Sequence, residues 1–323
     1  MLLALTPRSG SRWRALGGNL PDAAFRATTM AFGALLLLLI GVMVAEMASR
    51  ASLSLSTFGP GFLTSSTWDP QQRVFGALPF IYGTVVSSLI GLAIAAPVGI
   101  AAAIFIVELA PFWLGNAVSA LVELLAAIPS VLLGLWGIFV MVPFLRSRIE
   151  QPLMDRLPKV PFLTGPAYGV GLLAGALILA IMVMPTVVAI SRDVMAVVPM
   201  GQREAMLALG ATPWEATTWA VLPYARSGIL GAVVLGLGRA LGETMAVTMV
   251  IGNRPEISAS LFQPAYTMAS VIANEFTEAT YELYISALVE IGLVLFLVTV
   301  ALNATARFLV WRTSRPALAQ GGA

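Results

Sequence analysis

The sequence predicts an all-α integral membrane protein with six transmembrane helices. Three observations carry that expectation. Only 11% of the 323 residues are charged and 59% are hydrophobic, whereas soluble domains carry about 25% charged residues. Mean hydropathy is +0.90. The charges are separated by apolar runs as long as the ~20 residues that a bilayer crossing needs. These runs are continuous, where barrel strands would alternate over about 10 residues.

Taken in order, 19 uncharged residues between Arg26 and Glu46, including Leu35–Ile40, predict a first span near 28–47. Its apolar core is long and no A-x-A site follows, so it reads as a span and not as a cleaved signal. Residues 1–27 form an N-terminal tail. The 34 uncharged residues between Arg73 and Glu108 hold one span near 80–107 and are too few for two. Glu123 is the only charge from Leu109 to Leu145, which predicts a third span near 118–143. Another 32 uncharged residues between Lys159 and Arg192 hold the fourth, near 168–191. Residues 227–253 are interrupted only by Arg239 and Glu243, and 283–306 only by Glu290, giving spans near 224–250 and 283–306. The spanning domain covers 28–312, and 313–323 is a short tail.

Arginine placement sets the orientation. With the N-terminus inside, ten arginines fall on the inner side and seven basic residues outside. That is the direction of the positive-inside rule, so both termini are expected to be cytoplasmic. The outer segments 48–79, 144–167 and 251–282 carry turn signals such as Gly59-Pro60-Gly61 and Trp68-Asp69-Pro70. They read either as solvated connections or as docking loops for an extracytoplasmic partner; 144–167, with four prolines, reads as irregular.

The inner segment 192–223 differs from a polar loop. Gln202–Leu209 is rich in helix formers and stops at Gly210, a natural residue for the position after a helix end. Thr212-Pro213-Trp214-Glu215 then supplies an N-cap, a proline in the first helical position and a capping glutamate. A second short helix follows to Leu222-Pro223, where proline opens the fifth span. Two capped helices suit presentation of a fixed surface to a soluble partner, or a helix lying on the lipid headgroups.

Glu204-Ala205, Gly210 and Leu222-Pro223 resemble the EAA signature of ABC-importer permeases. The sequence departs from it at Met206, where the family has alanine, and at Ala220, where isoleucine is usual. The stretches 62–70, 75–84, 123–130 and 238–246 are similar to the phosphate-specific importers, and within them to the PstC permeases more than to the sister PstA permeases. The likeness runs from about residue 25 to 312. It implies the type I importer (MetI-like) fold in a bacterial inner membrane. It further implies that Arg203, Glu204, Ala205, Leu209, Gly210, Ala211 and Thr212 couple the chain to a cytoplasmic ATPase. Its implied partners are a PstA-like second permease, a homodimeric ATPase that holds ATP and magnesium, and a periplasmic phosphate-binding protein.

Buried charge marks a candidate path. Arg239 lies fifteen residues past Tyr224, near mid-bilayer, where an isolated charge costs about 2.5–3.5 kcal/mol. Glu243 lies one helical turn on, and Gly238 and Gly242 permit close helix approach. The two ions read either as a self-neutralising pair or as an anion path, for which an arginine fork suits phosphate. The resemblance favours the second reading. Glu123 and Glu290 are weaker candidates that pair with Arg239, pair with a neighbour or face the interface. Pro97, Pro129 and Pro185 are expected to bend spans two to four around a cavity, or simply to be tolerated there.

Absent parts exclude other chemistry. The chain has no Cys and no His, so thiol catalysis, Cys/His metal sites and Ser-His-Asp triads lack their residues. No metal site or catalytic constellation is expected. A net charge of +2 makes no phosphate-tracking surface for nucleic acid. The only lysine, Lys159, sits between Pro158 and Val160, so no P-loop exists and the chain is not itself an enzyme. No cofactor is expected in this chain, and any ATP-driven step needs another one. A secondary anion transporter is the rival, but repeated halves are not visible.

Overall fold

The computed structural model describes residues 19–156, 160–163 and 165–314; Arg8, Arg12, Arg14, Lys159 and Arg315 lie outside them, as do most of the two tails. Among the described residues there are helices, turns and two isolated β-bridges, Asp69 with Val74 and Gly252 with Ala265, and no strand. Six helices are long and apolar enough to cross a membrane. The chain divides into two units, residues 1–50 and 51–323. The first contains α1 (Asn19–Arg50), whose apolar side chains are exposed along most of its length and whose last turn holds a Glu46–Arg50 ion pair at 2.7 Å.

The second unit begins with α2 (Ser52–Phe58) and a single turn at Gly61–Thr64. It continues through α3 (Leu78–Leu109), α4 (Phe112–Ala127), α5 (Ser130–Arg156) and α6 (Leu172–Ala196). Next come α7 (Met200–Ala208), α8 (Pro213–Gly242), α9 (Met245–Val250), α10 (Met268–Glu275) and α11 (Glu282–Ser314). Helix α6 is the most buried of the crossing helices. Small residues let its neighbours come close, since lipid gives helices no hydrophobic incentive to associate and packing must do so. A methyl group added at Gly91 of α3 would stand 2.9 Å from the Ala176 carbonyl, and one at Gly236 of α8 would stand 2.9 Å from Val183.

Four expectations from the sequence need correction. The third crossing is α5, Ser130–Arg156, and not 118–143. Pro129 does not bend a span; Ile128 and Pro129 are extended (ψ 126° and 137°) and separate α4 from α5. Proline drives the residue before it out of the helical region, and the uniform apolarity of 118–143 hides the break. Helix α4 begins just after α3 ends, and Glu123 near its far end hydrogen-bonds Arg192, one turn from the end of α6. It therefore stays at the level of the inner segment. Pro97 and Pro185, by contrast, lie inside unbroken helices.

Second, residues 144–156 are not irregular, because α5 runs to Arg156. Third, no break occurs at Pro223, and the expected second short helix is the first part of α8. The same device explains both. Proline lacks an N–H and its ring crowds the carbonyl four residues back. π-Helical turns at Gly137–Met141, Leu145–Glu150 and Thr217–Val221 each end two residues before a proline, at Pro143, Pro152 and Pro223. Widening the turn removes the clash without ending the helix. Buried Glu150 then accepts the Gly169 N–H at 2.8 Å, fixing the return toward α6.

Fourth, the fifth span is discontinuous. Helix α8 stops at Gly242, Glu243 is extended (ψ 129°), and α9 starts only at Met245.

The outer segments 48–79 and 251–282 pack together. Phe62, Trp68, Phe75, Phe80, Tyr266 and Tyr284 are buried in one cluster, with Phe75 stacked on Tyr284 at 5.3 Å and Trp68 edge-on to Phe80 at 4.9 Å. Glu275 on α10 accepts from Trp68 Nε1 at 2.8 Å and from the Tyr284 hydroxyl at 2.6 Å. Burial pushes the Tyr266 phenol above its ordinary pKa, so it stays neutral and accepts from Asn274. Aromatic pairs of this kind contribute about 0.5–1.5 kcal/mol each beyond the area they bury.

Candidate coupling face and translocation path

The inner segment is built as its residues dictate. Helix α7 ends at Ala208, and Gly210 takes φ +88°. The Gly210 N–H reaches the Leu207 carbonyl at 3.0 Å and the Ala211 N–H reaches Met206 at 3.1 Å, the paired bonds of a Schellman ending. Two residues on, the Glu215 N–H donates to Thr212 Oγ1 at 3.3 Å and Glu215 Oε2 accepts the Thr212 N–H at 2.7 Å. The expected capping box is thus formed. Together these two devices fix the angle between α7 and α8 through the four-residue connection Leu209–Thr212.

What the segment presents is apolar as well as polar. Glu204, Ala205, Gly210 and Thr212 are exposed, Ala211 is half-buried, and Leu209 at the apex is 85% exposed. Met200, Leu207, Leu209 and Trp214 all project outward. An exposed patch of this kind, rimmed by polar groups, marks an interaction surface. At Gly210 an added methyl would meet nothing within 4 Å, so only the backbone objects to a side chain. Gly210→Ala is expected to cost about 1–2 kcal/mol in the left-handed region and so to loosen the α7–α8 connection. Gly210→Asn, which tolerates that conformation, should lose less, as read by the rate of limited proteolysis within 208–213.

Arg203 departs from its neighbours. Its side chain is 14% exposed and turns inward to Glu108, with Nη2 to Oε1 at 2.7 Å and Nε to Oε2 at 3.1 Å. It does not lie on the presented face with Glu204. Glu108, at the end of α3, marks only a span boundary in the sequence, as the first charge after a 34-residue apolar run.

The candidate path residues are distributed over two places. Arg239 is exposed on α8, three residues before its end, and Glu243 is half-buried in the break that follows. Among the described residues no carboxylate lies within 4 Å of Arg239, so the self-neutralising pair is not formed. Gly238 faces Asn303 of α11. Gly242, where a methyl would meet nothing within 4 Å, ends the helix. Glu123 pairs instead with Arg192 at 3.1 Å, and Arg192 also meets Asp193 at 3.1 Å. Glu290 is 2% exposed beside an apolar groove formed with Leu55, Leu63, Ile81 and Leu293. Neither acid joins Arg239. The break itself was missed by the sequence reading, although Gly242 followed by Glu243-Thr244 is its signal. Discontinuous helices recur where membrane transporters hold polar substrates, and this one puts the arginine at the edge of the gap.

Six apolar helices, a capped inner face open for docking and a lone arginine beside a broken span define a membrane-embedded transport component. The chain belongs to the family of binding-protein-dependent transport system inner membrane components, whose profile matches residues 95–315. It is 48% identical to the phosphate transport system permease protein PstC of Mesorhizobium japonicum, over 91% of each chain. Against PstC of Pasteurella multocida it is 42% identical, over 93% of this chain and 95% of the other. A chain of the MetNI methionine ABC transporter in an inward-facing conformation shares the fold, with a TM-score of 0.53 and 20% identity over 77% of this chain and all of that one.

Proposed function

We propose that this chain is the PstC-type permease subunit of an ATP-driven phosphate importer in a bacterial inner membrane. The observation that carries this reading is the 48% identity with a phosphate permease across 91% of both chains. The geometry agrees with it at two points. Helix α8 begins in the capping box and ends beside Arg239, so one element joins the docking face to the candidate path. Over its course from Pro213 to Arg239 it extends about 40 Å at 1.5 Å per residue.

Transport then divides among chains. With no nucleotide site of its own, the subunit leaves ATP and magnesium to a cytoplasmic ATPase seated on Glu204, Ala205, Leu209 and Gly210. A periplasmic phosphate-binding protein delivers the anion to the outer side. The exposed side of Arg239 needs a second, PstA-like permease, because a charge turned to lipid would cost about 2.5–3.5 kcal/mol. Arg239 offers the anion a planar fork of donors, and Glu243 in the adjacent break supplies a nearby negative charge that disfavours tight retention.

The test is to purify the complex with both permeases, the ATPase and the binding protein in proteoliposomes. Phosphate, and not sulfate, is expected to stimulate ATP hydrolysis and to accumulate inside. Stimulation by sulfate alone would assign the path to another oxyanion, and uptake without the ATPase would assign it to a secondary carrier.

A further inference from the structure

Arg203 makes, among the described residues, all the side-chain hydrogen bonds that join α7 to the crossing helices. Its fork grips Glu108 at the end of α3. Its remaining donors reach the Val198 carbonyl at 2.6 Å and the Met195 carbonyl at 3.0 Å, at the end of α6. The last carbonyls of a helix have no partner within it, and a cation there also suits the helix dipole. One guanidinium therefore ties three chain ends: α3 through Glu108, α6 through the Met195 carbonyl with the link after it through Val198, and α7 through its own backbone. Glu108 is only 9% exposed, so removal of Arg203 would leave a buried carboxylate and the Val198 carbonyl without this donor. Surface ion pairs contribute little; this one is enclosed, bidentate and shared.

The position of the tie is informative. Glu204, the next residue, is exposed on the docking face. Arg203 and Glu204 thus point to opposite sides of the same short helix, one toward the spans and one outward. Gly210 and the capping box hold the far end of α7 to α8. Without Arg203, α7 would be connected to α6 only through Val197-Val198-Pro199.

We infer that Glu108 and Arg203 are positioning residues that convey movement of the docking face to α3 and α6, so that ATP hydrolysis is matched to transport. This rests on the proposed role as an importer permease. In the reconstituted complex the quantity to read is phosphate taken up per ATP hydrolysed, with ATPase co-purification and basal hydrolysis measured alongside. Glu108→Gln and Arg203→Met are expected to keep the ATPase bound and basal hydrolysis near wild type while uptake per ATP falls about tenfold, a typical coupling effect. Arg203→Lys, which keeps the charge and loses the fork, should lie between them and wild type.

Unchanged uptake per ATP in both Glu108→Gln and Arg203→Met overturns the inference. So does loss of the bound ATPase with an unaltered ratio in Arg203→Lys, which would make the tie a scaffold for docking alone. The wild-type arm tests the underlying reading separately, since a wild-type chain that binds no ATPase refutes the importer role before any variant is compared.

Discussion

Arg239→Gln is expected to abolish phosphate uptake, by at least about 100-fold, while the complex assembles normally and basal ATP hydrolysis persists. The physical ground is the cost of placing a cation there. A mid-membrane charge is disfavoured by about 2.5–3.5 kcal/mol, Arg239 is exposed on α8, and no carboxylate among the described residues lies within 4 Å of it. Glutamine is shorter and neutral, so it removes the donor fork without adding bulk. If Arg239 served only to hold helices together, the variant would lose assembly before activity. Arg239→Lys discriminates further: it keeps the charge but offers a point donor in place of a planar one, and should restore partial uptake. Normal uptake of radiolabelled phosphate by the glutamine variant would refute the assignment.

Gly83→Val is expected to destroy the folded outer half of the protein. A side-chain carbon at Gly83 would land on the Tyr266 backbone carbonyl, which has no flexible end to yield. The adjoining residue, Thr84, accepts the Met268 N–H at 2.9 Å in a buried site. Valine would push the 264–268 segment off α3 and break that bond. Overpacking costs about 1–3 kcal/mol and an orphaned buried N–H about 1–3 kcal/mol more. Faster proteolysis within 254–281 and a large loss of chain from the membrane are the expected readouts. Gly231→Ala on α8, where an added methyl meets nothing within 4 Å, should leave the isolated chain unaffected.

How far these sites could be seen in advance depended on the range of the interactions that make them. The left-handed Gly210 and the Thr212–Glu215 capping box are set by neighbours within four residues, and both were legible. So were five of the six crossings, because a run of uncharged residues is a local property. The third was misplaced because no charge interrupts the run at Ile128-Pro129, and only the geometry of the residue before proline distinguishes α4 from α5. The helical course through Pro143, Pro152 and Pro223 was hidden for the opposite reason: π turns absorbed prolines that read as stops. Glu275 and Trp68 are 207 residues apart, so nothing in either loop's composition announces that they meet. Arg203 was grouped with the ATPase-coupling residues by its place in a motif. Its partner Glu108, 95 residues earlier, turns it the other way.

The uninterrupted course of α8 has a mechanical corollary. With Pro223 taken up in a π turn, the helix is continuous between its cytoplasmic start and Gly242. A rod of this kind transmits twist as well as thrust, so a rotation imposed at the capping box arrives at Arg239 as a change in the direction its guanidinium faces. The first interruption of the helix lies beyond the arginine, at Glu243 and Thr244. The break therefore leaves Arg239 on the helix that starts at the inner face, and α9 beyond it.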